Sequence, residues 1–342
     1  MVFHHMYQQQ LWPMIVLSAT VPVLGCFGST QTDSWAQFEN GAIFDSASPS
    51  MSPDGTWIVF ASPRTGHGDI YRIRLDGTDR IQLTSDPGFE CNPLYCADGE
   101  QIVFARENNG LRHIWIMQAD GTKERQITFE PASDTPYEVS NGEKWLIVFR
   151  SKRTGGLGNS GETVAICLDS NEKGPIRLGY DASFSPDGTH ILFSPVKDEI
   201  WQLDLATLER RRIGRGNMAR YFPNGERILY LSLPSDSLWK GTWRSMRPDG
   251  MDDVPVGNGT YALITSDGQD VVYMSSDHKF EILRGSVGDY QPTEVDAPAG
   301  YKTWMRRCKD GFIFTVLTDD RAGHICVLST EQWTVNRIAP VR

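Results

Sequence analysis

An Asp-Gly or Asn-Gly step recurs seven times along the chain: Asp54-Gly55, Asp98-Gly99, Asn141-Gly142, Asp187-Gly188, Asn224-Gly225, Asp267-Gly268 and Asp310-Gly311. The intervals are 44, 43, 46, 37, 43 and 43 residues, too even for chance. These residue types tolerate the positive φ of a tight hairpin. Each step is followed by a short apolar run of β character, such as TWIVFAS from Thr56, QIVFAR from Gln101 and HILFS from His190. A second run follows a polar loop, as in DIYRIRL from Asp69 and HIWIMQA from His113. Several units then show another hairpin signal, at Asp76-Gly77, Asp120-Gly121 and Asp249-Gly250, and a third run. One strand before the first turn and three after it make four strands per unit.

Four short strands repeating every 43 residues or so, with no amphipathic helix of convincing length, define a propeller blade. A blade cannot bury both faces alone, so the units must stack around an axis. The expected fold is all-β: a seven-bladed β-propeller of four-stranded antiparallel blades over residues 36–342. Six blades is the main alternative, because the fifth unit is irregular and the seventh lacks a clear second hairpin. Phe60, Phe104, Phe193 and Tyr230 hold matching places in the strand after the turn and are expected to pack blade against blade. Phe149, two residues further along its strand, is expected on the same face. The segment Ala36–Ser46 offers a strand to the last blade.

The repeat resembles that of TolB-type propellers. Ser52-Pro53-Asp54-Gly55 and Ser185-Pro186-Asp187-Gly188 match its SPDG turn. DIYRIRLDGTDRIQLT from Asp69 and HIWIMQADGTKERQIT from His113 are similar to its strand–DG–strand–LT half. Arg64-Thr65-Gly66 and Arg153-Thr154-Gly155 match the loop between its second and third strands. The resemblance covers residues 48 to 342 and implies fold more strongly than function, because such folds host many activities. The translocation protein of that family resembles a six-bladed propeller behind an α/β domain, for which there is no room between Cys26 and the first repeat. No G-x-S-x-G nucleophile elbow follows the seventh unit.

Residues 1–26 read as a signal peptide. The run from Leu11 is broken by Pro13 and Pro22, too short for a membrane-spanning helix, and its Val23-Leu24-Gly25-Cys26 tail resembles a lipobox. Residues 27–35 would then be a tether. Lipidation of Cys26 and ordinary cleavage both stay open, since the leader holds no Lys or Arg. Cys91 and Cys96 are close enough in sequence to pair across a loop, while Cys167 and Cys326 fall in apolar runs. The net charge of -10, with no basic run, excludes nucleic acid as a natural partner.

Innermost strands line a propeller's channel. Glu138, Asp181, Arg220, Trp304, Arg306 and Arg307 fall there. Arginines suit an acidic peptide terminus or a sugar acid. Arg306 and Arg307 are adjacent, so at most one is expected to face the channel. His67, His113, His278 and His324 lie in or just after the loops between second and third strands of blades one, two, six and seven. The resemblance to oligogalacturonate lyases would give them a divalent metal; loop histidines in solvent are the plainer reading. No catalytic constellation, Cys/His metal spacing or cofactor motif is present. The Gly-rich loop Gly155–Glu162 lacks the Lys-Ser/Thr of a phosphate loop and reads as a flexible rim loop. The working surface is expected on the rim of these longer loops, opposite the Asp-Gly turns.

The functional expectation is an exported, monomeric, non-catalytic scaffold that binds protein or glycan at the cell envelope, periplasmic or lipid-anchored, with no cofactor. The alternative is a propeller enzyme acting on acidic oligosaccharides.

Overall fold

The computed structural model describes residues 47–66, 68–142, 145–151, 161–168, 174–233, 241–258, 261–274, 282–286, 293–298, 301–317 and 323–338. The leader, the tether, Cys26 and residues 36–46 lie outside these. Twenty-eight strands form seven four-stranded antiparallel sheets, each built from consecutive strands with the first innermost. The inner strands, blade one to seven, are Ala47–Met51, Glu90–Tyr95, Ser133–Val139, Ala182–Phe184, Asn217–Tyr221, Tyr261–Ile264 and Tyr301–Cys308. The irregular fifth unit forms a full blade, so the count is seven.

The turns show why Ser, Asp and Gly recur. Ser52 Oγ donates to Asp54 and accepts from the Trp57 amide, while Asp54 accepts from the Thr56 amide at 3.0 Å. The Ser52 hydroxyl and the Thr56 donors hold the Asp54 carboxyl down at about 2. Gly55 has φ +79°, the left-handed region that favours glycine. Ser185, Asp187 and Gly188 repeat this arrangement. Blade three departs from it. There the Ser140 amide pairs with the Trp145 carbonyl as Ser52 pairs with Trp57, so Gly142 falls where Asp54 does, one place early. Gly142 accordingly lacks a positive φ.

Seven apolar clusters fill the seven interfaces between neighbouring blades. Ile58, Phe60, Tyr71 and Ile73 of blade one pack with Ile313 and Ile325 of blade seven, so the ring closes by side-chain packing among the described residues. Phe60, Phe104, Phe193 and Tyr230 are buried as expected, each against the preceding blade. Phe149 is not on that face. Phe104 pairs across the sheet with Trp115, and the matching pair in blade three is Val148 with Val164. Val148 therefore packs toward blade two, and Phe149, one residue on, faces the other way and is half-buried over Gly161. Tyr273 and Phe314 complete the aromatic set. Cys96 is buried and in no disulfide, so no Cys91–Cys96 bridge forms. Cys326 is buried in the last interface, and Cys167 is half-buried.

Candidate functional site

Register alignment places one residue of each inner strand at the same level of the channel. Opposite the second-strand residues Val59, Val103, Ile147, Leu192, Leu229, Val272 and Ile313 stand Ser50, Leu94, Glu138, Ser183, Arg220, Leu263 and Arg306. Side chains here lean toward the next blade. Leu94 and Leu263 vanish into its interface, and Ser183 Oγ donates to the Ala219 carbonyl at 3.0 Å. Glu138, Arg220 and Arg306 cannot be absorbed in that way, because burying an unpaired charge among apolar groups costs several kcal/mol. They instead occupy the channel from alternate blades three, five and seven.

Bulges help to aim them. The inner-strand register shifts between Asn217 and Arg220, between Thr303 and Arg306, and beside Glu138. Bulges commonly re-aim side chains beside functional sites. Met218, in the bulge before Arg220, takes φ +55°, like Ser48 and Asn92 in blades one and two.

Arg220 donates to the Tyr137 hydroxyl, its guanidinium lying 5.8 Å from that ring's centre. Glu138 Oε1 accepts from the Phe184 amide at 3.4 Å. Asp181, just before the inner strand of blade four, accepts from the Met218 amide at 3.2 Å. The Tyr261 hydroxyl donates to the Met305 carbonyl at 3.3 Å. Three atoms remain unmatched: Glu138 Oε2, Arg220 Nε and Arg306 Nη1 are shut off from solvent with no hydrogen-bond partner among the described residues. Neither Arg306 nor Arg307 has an ion-pair partner within 4.0 Å among those residues.

Enclosure by the ring shapes the electrostatics. Burial raises Glu138 above the usual carboxylate range, opposed by Arg220, the Phe184 amide, Arg307 and Arg306. Burial pushes Asp181 up to about 6, against the Met218 amide and Arg220. Burial lowers Arg306 against the pull of Tyr261, Tyr137 and Glu138. Tyr261 is pushed up to about 12, again by burial. Three guanidinium groups thus face two carboxyls that resist ionisation, an electropositive channel inside a chain of net charge -10.

Among the residues singled out from sequence, Glu138, Arg220 and Arg306 come together, with Arg307 exposed nearby. Arg307 acts on Glu138 as Arg306 does, so adjacency in a strand does not confine the influence to one of them. Trp304 lies in the inner strand of blade seven, its side chain outside the described residues. The cluster sits in the half of the inner strands nearer the Asp-Gly turns, not among the longer loops. Tyr137 and Tyr261 were not legible in advance. The signal was positional: Ser50, Leu94, Ser183, Arg220, Leu263 and Arg306 each stand four residues before the Asp or Asn of the turn, and Glu138 stands three before it because its turn is shifted.

Of the histidines, His67 and His278 lie outside the described residues, as does most of the Gly155–Glu162 loop. His113 and His324 stand in blades two and seven, and His324 contacts Arg337 Nη2 at 2.7 Å. Among the described residues no group of three His, Cys, Asp or Glu side chains is placed to hold a metal ion.

Seven closed blades around a charged channel define a propeller. The model of the TolB β-propeller domain matches residues 30–211, over half of the chain, and the protein belongs to that family. An uncharacterized protein of Agrobacterium fabrum is 50% identical over 36 residues, 10% of this chain and 12% of that one. TolB from Acinetobacter baumannii is 20% identical, with 61% of this chain and 54% of that chain covered and a TM-score of 0.41. The chain thus spans about half of that protein's length. An oligogalacturonate lyase in complex with manganese is 13% identical over 83% of this chain and 89% of that one, with a TM-score of 0.65. At such identity the likeness is one of fold.

Proposed function

We propose that the protein is an exported, non-catalytic scaffold of the cell envelope that binds a protein or glycan through the propeller channel. The observation that carries this reading is the meeting of Tyr137, Glu138, Arg220, Tyr261 and Arg306 from four blades, with charged atoms left unpaired. Folding tolerates unpaired buried charge poorly, and sites that must receive a ligand are where it persists. A rigid ring presents these groups with little ordering cost on binding. Family membership and the lipobox-like leader ending at Cys26 support export, with the membrane approached only through a lipid on that cysteine. The acidic surface disfavours nucleic acid.

The test is capture from an envelope fraction by immobilised protein. The wild type retains a partner that an Arg220→Gln/Arg306→Gln variant loses, whereas a variant with residues 155–160 replaced by a short turn retains it. Loss only in the loop variant would move the working surface to the opposite rim. A second reading, an enzyme acting on acidic oligosaccharides, is supported by the fold shared with the lyase and by the electropositive channel. Chelator-sensitive turnover of such a substrate would establish it, and His113 and His324 would then be the first described residues to replace.

A further inference from the structure

The channel level that holds Glu138, Arg220 and Arg306 carries opposite charges that do not touch. Among the described residues neither arginine lies within 4.0 Å of the Glu138 carboxylate, although both act on its charge. Among the described residues the Glu138 oxygen Oε2, the Arg220 Nε and the Arg306 Nη1 are all left without a hydrogen-bond partner. Tyr137 fixes one side of the Arg220 guanidinium and leaves Nε unused. Among the described residues the Arg306 side chain makes no hydrogen bond, and its Nη1 is shut off from solvent. One carboxylate and two guanidinium groups with unmatched atoms on one level leave an excess of positive charge that an anion can meet.

We infer that this level binds a single carboxylate between Arg220 and Arg306, and that Glu138 competes with it as a proton-controlled counter-ion. The inference rests on the channel reading above. A carboxylate supplies two acceptor oxygens for the two unmatched guanidinium donors. Ionised Glu138 repels the incoming anion and spends part of the arginines' field. Protonated Glu138 ceases to do either and offers an O–H donor in its place. The other charged or titratable groups facing this level are Asp181, which acts on Arg220 in the same sense as Glu138, and Arg307, Tyr137 and Tyr261. Tyr261, pushed up to about 12 by burial, stays neutral throughout.

Affinity therefore rises as the pH falls through the raised range of Glu138, until the ligand's own carboxyl takes up a proton near pH 4. One unit of coupling is worth about tenfold in affinity. As the pH falls through that range the Kd should fall by roughly that factor.

The probes are D-glucuronate with D-glucose as its neutral control, and a free-acid tripeptide with its C-terminal amide as control. Binding is read on the full chain by the rise in unfolding temperature with probe concentration. The account expects a rise with a carboxylate probe and none with its control, stronger at about pH 5 than at pH 8. Whether the sugar acid or the peptide acid acts identifies the source of the carboxylate. Glu138→Gln should bind more tightly than the wild type at pH 8 and keep only the part of the pH dependence that Asp181 carries, and Arg306→Gln should abolish the shift. Neither carboxylate shifting the melt at any pH, or equal shifts from the neutral controls, would overturn the site. Unchanged pH dependence in Glu138→Gln would overturn the role of Glu138. Envelope capture that survives loss of Arg220 and Arg306 would leave the scaffold standing and remove the carboxylate site. Carboxylate binding without any captured partner would do the reverse.

Discussion

Arg220 of blade five donates a hydrogen bond to the hydroxyl of Tyr137 in blade three, although the whole of blade four stands between them in the ring. Such a bond can only cross the channel. It ties together two strands of different sheets, the arginine side chain reaching past the inner strand of the blade between them. Function here follows from a simple conflict. The repeat places a side chain against the next blade at one fixed register, and where that side chain is charged the interface cannot take it.

Phe104 is fully buried between blades one and two, whereas Phe149 is only half-buried over Gly161. Phe104→Ala should cost about 3–5 kcal/mol, and Phe149→Ala less than half of that. Urea unfolding of the two variants, side by side, checks the register. Equal losses would mean that the two rings share one face after all.

The turns between third and fourth strands press on the neighbouring blade. A Cβ on Gly121, at φ +88°, would stand 2.8 Å from the Leu83 carbonyl oxygen, while one on Gly66, at φ +98°, meets nothing within 4 Å. Both replacements by alanine carry the left-handed penalty of roughly 1 kcal/mol. Gly121→Ala should cost clearly more, and thermal melts of the pair measure the difference as the cost of displacing Leu83.

The count of strands and the position of the turns were legible in the chain because Asp-Gly steps act locally. Each needs only its own backbone, reinforced where a hydroxyl stands two residues before the aspartate, as Ser52 does for Asp54, Ser185 for Asp187 and Thr265 for Asp267. The burial of Phe60, Phe104, Phe193 and Tyr230 followed from the same local frame. Blade three broke the frame: with Gly142 one place early, counting from the glycine matched Ile147 to Phe60 and so put Phe149, two residues on, on the face that Val148 holds. Tyr137 and Tyr261 were invisible for a different reason. Their meeting with Arg220, 83 and 41 residues away, depends on closure of the ring, which no local pattern encodes. Cys91 and Cys96, close in sequence, do not pair: one stands inside the inner strand of blade two and the other just past its end.

Arg106 is stacked 4.4 Å from the Trp115 ring centre and 5.3 Å from that of Phe104, and it holds the fully buried Glu90 at 2.6 Å. Burial pushes Glu90 up to about 7 even so, with Thr84 and Arg106 drawing it down. Arg106→Met should cost about 3–5 kcal/mol by leaving that carboxylate alone. The loss should deepen as the pH rises above 7, where the unpaired Glu90 must ionise. Urea melts at pH 6 and pH 8 test both statements.

Asp181 supplies a second pH signature. Its carboxyl, raised to about 6 from 3.8, holds a proton more tightly in the folded chain than in the unfolded one. Its contribution to stability is therefore complete below pH 3.8 and is lost as the pH climbs through 6. The loss is on the order of 1–3 kcal/mol. Asp181→Asn should flatten the stability profile across that window, while leaving the acceptor for the Met218 amide in place. A profile identical to the wild type would place the titration elsewhere.

The central claim is that the channel, at the level of Glu138, Arg220 and Arg306, is where a ligand sits. The most direct measurement is amide hydrogen exchange on the protein alone and bound to the partner captured from the envelope. The account predicts that protection grows in the inner strands Ser133–Val139, Asn217–Tyr221 and Tyr301–Cys308 and that the outermost strands stay as they were. Protection confined to the outermost strands, or to the longer loops of the opposite rim, would contradict it.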